Sequence, residues 1–209
     1  MRAVVIGVHL RREDIEPVAE AIPLGELFLS GAAVADDQPL GDRDLVLRVA
    51  QMRASLLERA TFIAIRYGFA VRSSAEAMAK CAPQLERWRR LLALHRDNVE
   101  MTLKVAVAST RPRPERQAFA SGADYLRALH EATRAADVDP RFREAASRLG
   151  NCRWVHRDGR SLECVLLVAR DGVERVRAAG EQLKRDFPEI PFLLSGPWPL
   201  EVFADDDHK

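Results

Sequence analysis

The side chains best suited to chemistry in this chain are five histidines, three cysteines and an Asp205-Asp206-Asp207-His208 ending. A zinc or iron site needs such groups to converge at set spacings. His9, His95, His130, His156 and His208 fall on different expected elements with no HxxxH or HExxH pair, so the fold alone would have to assemble a site. The acidic ending offers hard oxygen ligands but no glycine-turned loop to hold them, and it reads as a solvated, fraying tail. Neither GxxxxGKS/T nor GxGxxG occurs, so no loop is built to cradle a phosphate. His156-Arg157-Asp158 has the letters of a kinase catalytic loop, but its Asp opens a turn and no Asp-Phe-Gly accompanies it, so the match is chance. Cys81, Cys152 and Cys164 are odd in number and lack CxxC spacing, which argues against a disulfide framework and for a reducing cytoplasm. Cys152 and Cys164 fall on the two strands of one expected hairpin and read as neighbouring reduced core thiols. No catalytic residue, metal or cofactor is expected.

Composition excludes further classes. With 32 basic against 31 acidic residues the net charge is +1, and no global field recruits nucleic acid or an anionic membrane. Arg111, Arg113 and Arg116 could bind phosphates, yet no aromatic residues interleave to stack bases, and a solvated loop is the expected reading. No apolar stretch reaches the roughly 18 residues that cross a bilayer, so no membrane span is expected. A hydrophobic content of 47% over 209 residues supplies a sizeable core for one large or two small domains.

The elements follow from periodicity and punctuation. Ala3–Val8 reads as a strand, Arg11–Ala21 as a helix stopped by Pro23, and Gly25–Ala35 as a strand or a strand pair turned at Ser30-Gly31. Leu45, Val49, Met52 and Leu56 form one stripe on a helix over Asp42–Ala60, capped by Asp42. Phe62–Ile65 reads as a buried central strand ending at Tyr67-Gly68, with Arg66 an ion-paired or snorkelling side chain at its end. Ser74–Arg96 gives a short helix and a longer one, separated near Cys81 by Pro83. Val99–Ala108 alternates as a half-exposed strand with Glu100, Thr102 and Lys104 on its polar face. Thr110–Ala120 is a linker candidate, and helices start at Ser121 and at Asp139-Pro140. Asp158-Gly159 favours a type I′ hairpin turn between Arg153–Arg157 and Arg160–Ala169. A helix over Asp171–Phe187 leads to a last strand at Phe192-Leu193-Leu194. The order strand, helix, hairpin, helix, strand over residues 99–194 suits an antiparallel sheet with helices on one face.

Five pieces stand in order between residues 45 and 203: the strand ending in Arg66-Tyr67-Gly68, the helix start Ser73-Ser74-Ala75-Glu76, the strand Val99–Val105, Gly122-Ala123-Asp124-Tyr125-Leu126, and Ser195-Gly196-Pro197-Trp198-Pro199. Together they resemble the gas vesicle protein GvpL/GvpF family. The resemblance implies an α+β protein of two domains, a ferredoxin-like N-terminal domain (residues 1–75) and a second α+β domain with an antiparallel sheet (residues 76–209). It also implies a non-enzymatic structural or assembly role in the cytoplasm, with the hydrophobic main shell protein and other gas vesicle proteins as partners and neither nucleic acid nor membrane. Its motif residues here are Arg66, Tyr67, Gly68, Tyr125, Gly196, Pro197, Trp198 and Pro199. Trp198 between two prolines suits a lid on the core or an anchor in a partner, and the lid is the favoured reading. The alternative function is an enzyme or small-ligand module on a ferredoxin-like fold, since that fold hosts many activities.

Overall fold

Ala3–Val8 holds three valines and an isoleucine, whose branched side chains pack well on a pleated surface, and it forms the middle of the first sheet. The computed structural model describes residues 1–106, 114–134, 138–156 and 161–204. Strand β1 (Arg2–His9) is buried at every position from Ala3 to His9. It pairs antiparallel with β3 (Leu27–Val34) on one side, and with β4 (Ile63–Ala64) and β5 (Ala70–Val71) on the other. Strand β2 (Glu20–Leu24) lies outside β3, so the sheet runs β2-β3-β1-β4, with β5 also on β1. The expected central strand at Phe62–Ile65 is therefore corrected. It is two residues long, it stands at the end of the order, and β1 holds the centre.

Two more expectations in this region give way. The stretch 11–21 forms only a 3-10 turn at Arg12–Asp14 before β2 begins, because Pro17 lies inside the expected helix with no N–H to donate and a ring that clashes with the preceding turn. Pro23 ends nothing; it sits in β2, the outermost strand, where a missing donor is tolerated. The turn is at Gly25-Glu26, not Ser30-Gly31. Leu24 pairs with Leu27, and Gly25 alone takes a positive φ, 66°, the type II′ pattern whose twist matches a hairpin.

Helix α1 (Arg43–Arg59) starts where Asp42 accepts a hydrogen bond from the Leu45 N–H, and it buries Leu45, Val49, Leu56 and Leu57. Helix α2 (Ser74–Cys81) is capped by Ser73 and is separated by a 3-10 turn at Ala82–Gln84 from α3 (Leu85–Leu94). Both stay with the first sheet: Lys80 Nζ donates to the Ala70 carbonyl at 3.2 Å, and Arg89 meets Glu26 at 3.8 Å. The chain accordingly divides into Met1–Val99 plus the stretch from Trp198, and Glu100–Pro197, rather than between residues 75 and 76.

The second unit follows the order β6 (Asn98–Ala106), α4 (Gly122–Arg134), α5 (Pro140–Ser147), β7 (Asn151–His156), β8 (Ser161–Ala169), α6 (Val173–Asp186), β9 (Phe192–Trp198). Its sheet runs β7-β8-β6-β9, which read from the β9 edge is the unit's fourth, first, third and second strand: the β-α-β-β-α-β ferredoxin-like arrangement. The first unit has the same strand order, with a 3-10 turn where the first helix would be. Ferredoxin-like order thus occurs twice, once more than the resemblance implies. Phe142 anchors the second core against Phe187 and Phe192, with ring centroids 5.4 and 5.5 Å away. Glu100, expected on a polar face, is buried. The hairpin strands pair from Asn151↔Leu167 to His156↔Leu162, while the Asp158-Gly159 turn and Arg111 and Arg113 lie outside the described residues.

At the centre of the first unit Gly7 is needed because a Cβ there would lie 2.3 Å from Phe62 Cδ2 and 2.9 Å from the Ile63 carbonyl oxygen. Gly7→Ala should cost about 1–3 kcal/mol by overpacking. Urea unfolding measures it, and stability within 0.5 kcal/mol of the parent, by the usual size of surface changes, would show that this contact is slack.

His9 is wholly buried, stacks on Phe62 at 4.8 Å and shares a 2.9 Å hydrogen bond between Nε2 and Ser30 Oγ. Burial pushes its pKa from 6.5 down to about 3. The folded ring stays neutral where the unfolded ring already binds a proton, so this contribution to stability is complete above the unfolded value and lost as pH falls toward the folded one. Between pH 7 and 5 the loss should be about 2 kcal/mol. Replacing His9 with Phe should flatten the stability profile in that window by this amount, read by urea unfolding at both pH values; an unchanged slope would show that His9 is not the titrating group.

Candidate functional site

The free edge of β4 is covered by the chain's own ending. The Leu200 N–H donates to the Phe62 carbonyl at 2.9 Å, and the Ala64 N–H donates to the Leu200 carbonyl at 2.9 Å, making a parallel bridge between Ile63 and Leu200. An open strand edge carries unpaired N–H and C=O groups that recruit other strands, and this bridge closes it. Leu200, Val202 and Phe203 are buried at this point, Phe203 meets the His95 ring edge-on at 6.5 Å, and an Arg87 Nη2–H donates to the Ala204 carbonyl at 2.5 Å. These three apolar residues beside Trp198 therefore belong to the core of the first unit and not to an outward partner surface. The short alternation Leu200-x-Val202 was the available signal for a strand-like partner to β4.

Trp198 does not act as a lid. Its side chain is 49% exposed, which overturns the core reading. It stands between Pro197, joined to Gly196 by a cis peptide, and Pro199. Two prolines fix φ on both sides of the indole and so limit the freedom it has to lose on contact with another molecule. Gly196 is required upstream: its φ is 119°, and a Cβ there would lie 3.0 Å from the Glu100 carbonyl oxygen and from Met101 Sδ.

Arg66, Tyr67 and Gly68 form a turn on the other side of β4. The Phe69 N–H reaches the Arg66 carbonyl at 3.4 Å, and Gly68, at φ 98°, occupies the position that demands a positive φ in a type II turn. Tyr67 is 39% exposed and its hydroxyl donates to the Leu40 carbonyl at 2.5 Å. Arg66 is exposed, so of the two expected readings, ion-paired or snorkelling, its reach into solvent fits the second. In the chain, Arg66-Tyr67-Gly68 directly follow β4, and Trp198-Pro199 directly precede Leu200, which is bridged to it. Tyr125 belongs to the second unit, on α4, where it packs edge-on against Phe119 at 6.0 Å, with the Arg116 guanidinium 5.8 Å from its ring centroid.

Little in the described residues resembles a reaction centre. No group of three His, Cys, Asp or Glu residues there is placed to hold a metal ion. His9 is buried in β1, His95 follows α3 and His156 ends β7, while His208 and the Asp205–Asp207 run lie outside the described residues. A cleft of about 260 Å³ in the first unit is bordered by Arg2, Glu20, Ile22, Arg72 and Ser73, among others, and contains neither histidine nor cysteine. The strongly shifted groups, His9 and Cys164, are buried away from that lining, whereas an active site couples shifted groups to a cleft.

No family model matches the chain, and no curated protein does. Its fold is shared with two crystal structures. Gas vesicle protein GvpF from Anabaena sp. PCC7120 superposes with a TM-score of 0.66 at 10% identity, over 99% of this chain and 99% of that one. Gas vesicle protein GvpF from Microcystis aeruginosa gives a TM-score of 0.66 at 10% identity, over 98% of this chain and 99% of that one. The α+β architecture is therefore common to all three from end to end.

Leu200 and Trp198, two residues apart, should respond oppositely to truncation. Leu200→Ala removes a fully buried side chain and should cost about 2–5 kcal/mol, while Trp198→Ala removes a half-exposed one and should cost about 1 kcal/mol or less. Thermal and urea unfolding of both variants measure this. A larger loss for Trp198→Ala than for Leu200→Ala would return the indole to the core.

Proposed function

We propose that this chain is a gas vesicle assembly or structural protein that works in the cytoplasm by contacting the hydrophobic main shell protein, and that it is not an enzyme. The observation that carries the reading is the fold shared with two gas vesicle proteins over 98–99% of this chain. The ordered motif pieces support it from the sequence side. Trp198 and the Tyr67 turn supply the contact: aromatic side chains held on fixed backbone, with apolar area still open to a partner. No helix among the described residues is long and apolar enough to cross a membrane.

Binding of the purified chain to immobilised shell protein tests the reading. Trp198→Ala should weaken that binding by about 2 kcal/mol, roughly thirtyfold in Kd, with the melting temperature little changed. Full affinity in the variant would remove Trp198 from the contact, and no binding by the parent chain would overturn the shell-protein reading itself.

A further inference from the structure

The cleft of the first unit lies where its sheet is one strand short. Pairing between β2 and β3 begins at Glu20↔Gly31, while β1 and β3 stay paired on to Ala3↔Ala33 and Arg2↔Val34, so the rungs beyond Gly31 have no β2 residue beside them. On the other side of β1, Val71 pairs with Ala3, and Ser73, the cap of α2, follows two residues later. About 260 Å³ is left between these segments, lined by Ala3 and Ala33, whose side chains are too small to fill it.

The polar groups of this lining are mostly cationic. Arg2 is held by its Nη2–H, which donates to the Gln38 carbonyl at 2.7 Å, while its Nε–H is buried with no hydrogen-bond partner among the described residues. A buried donor left unmet costs about 1–3 kcal/mol, so a group that accepts from it is favoured there. Arg72 stands at the limit of an ion pair, 3.9 Å from Asp36, and the Met1 amine holds that carboxylate more closely, at 2.9 Å. Ser73 Oγ accepts from the Glu76 N–H at 3.2 Å and keeps its own proton to donate. Glu20 is the carboxylate of the lining. It repels a second anionic group and can accept from a hydroxyl.

We propose that this cleft is a binding site for a small phosphate monoester that carries a hydroxyl away from its phosphate. A tetrahedral phosphate has oxygens enough for the Arg2 Nε–H, the Arg72 guanidinium and the Ser73 hydroxyl, and guanidinium groups are its usual partners. The Ser74 and Ala75 N–H groups, ahead of the first bond within α2, add to the pull on an anion. The ligand's hydroxyl suits Glu20, and its carbon skeleton suits the apolar lining of Ala3, Ala33 and Val71. Neither Trp198 nor Tyr67 takes part, so the site stands or falls separately from the shell-protein contact.

Isothermal titration calorimetry of the full chain at fixed ionic strength tests this, with ribose 5-phosphate, inorganic phosphate and ribose as probes. Ribose 5-phosphate should bind, inorganic phosphate should bind more weakly, and ribose should not bind. Arg2→Ala and Arg72→Ala should each weaken the binding of ribose 5-phosphate about tenfold or more, as loss of a charged hydrogen-bond donor does. Arg177→Ala, in the second unit, should leave it unchanged. Arg72 is exposed, so its variant decides even if Arg2→Ala fails to fold. No binding of ribose 5-phosphate by the parent chain, equal binding of ribose or of inorganic phosphate, undiminished affinity in Arg72→Ala, or an equal loss in Arg177→Ala would each overturn the proposal.

Discussion

The first unit depends on one close approach, the Phe62 ring lying where a side chain at Gly7 would be. That ring is fully buried, stacks on His9 and fixes the two residues of β4 against β1. The Phe62 backbone then has a free side, and its carbonyl takes the Leu200 N–H. One residue thereby joins the central strand, a buried neutral imidazole and the chain's ending. A strand as short as β4 holds few ladder bonds of its own, so its place comes from the ring beneath it and the segment beside it.

Covering β4 from within the chain has a consequence for function. An exposed edge could take a partner's strand, but here Leu200 occupies it and Val202 and Phe203 are buried after it. What the ending leaves outward is Trp198, set by prolines and by a glycine that must keep its backbone free of a Cβ. The same short stretch therefore closes a core and presents an aromatic group. The two tasks fall on residues two positions apart, which is why a single truncation at either one is informative.

The two units reach one strand order by different means. In the second, the connections between parallel strands carry helices, and Phe142 on α5 packs with Phe187 and Phe192. In the first, the connection from β1 to β2 is too short and too interrupted by Pro17 for a helix, and only α1 is of full length. Strand pairing, more than helix content, is what the units have in common. A sheet's order is set by which edges close the hairpins, and both units contain one tight pair, β2–β3 and β7–β8, that fixes half of it.

The local chemistry of the sequence was enough to determine most helices and their starts. Asp42, Ser121 and Asp139 each accept a hydrogen bond from a backbone N–H in the first turn of the helix they were expected to open, and Ser73 does the same at the helix start it belongs to, because capping depends on residues two or three apart. The strand, helix, hairpin, helix, strand order of residues 99–194 and the break near Cys81 were legible for the same reason, although the ferredoxin-like pairing of those strands was not. Only the tertiary structure decided which apolar run is central: β1 and the Phe62 stretch are both apolar, and a strand buried on both faces has no alternation to rank it. It also decided that Glu100 is buried, that Trp198 is exposed and that Leu200 pairs with Ile63. Burial belongs to a residue's neighbours in space, and these neighbours are brought together by a chain ending that returns across more than a hundred residues to a strand edge no local pattern could mark.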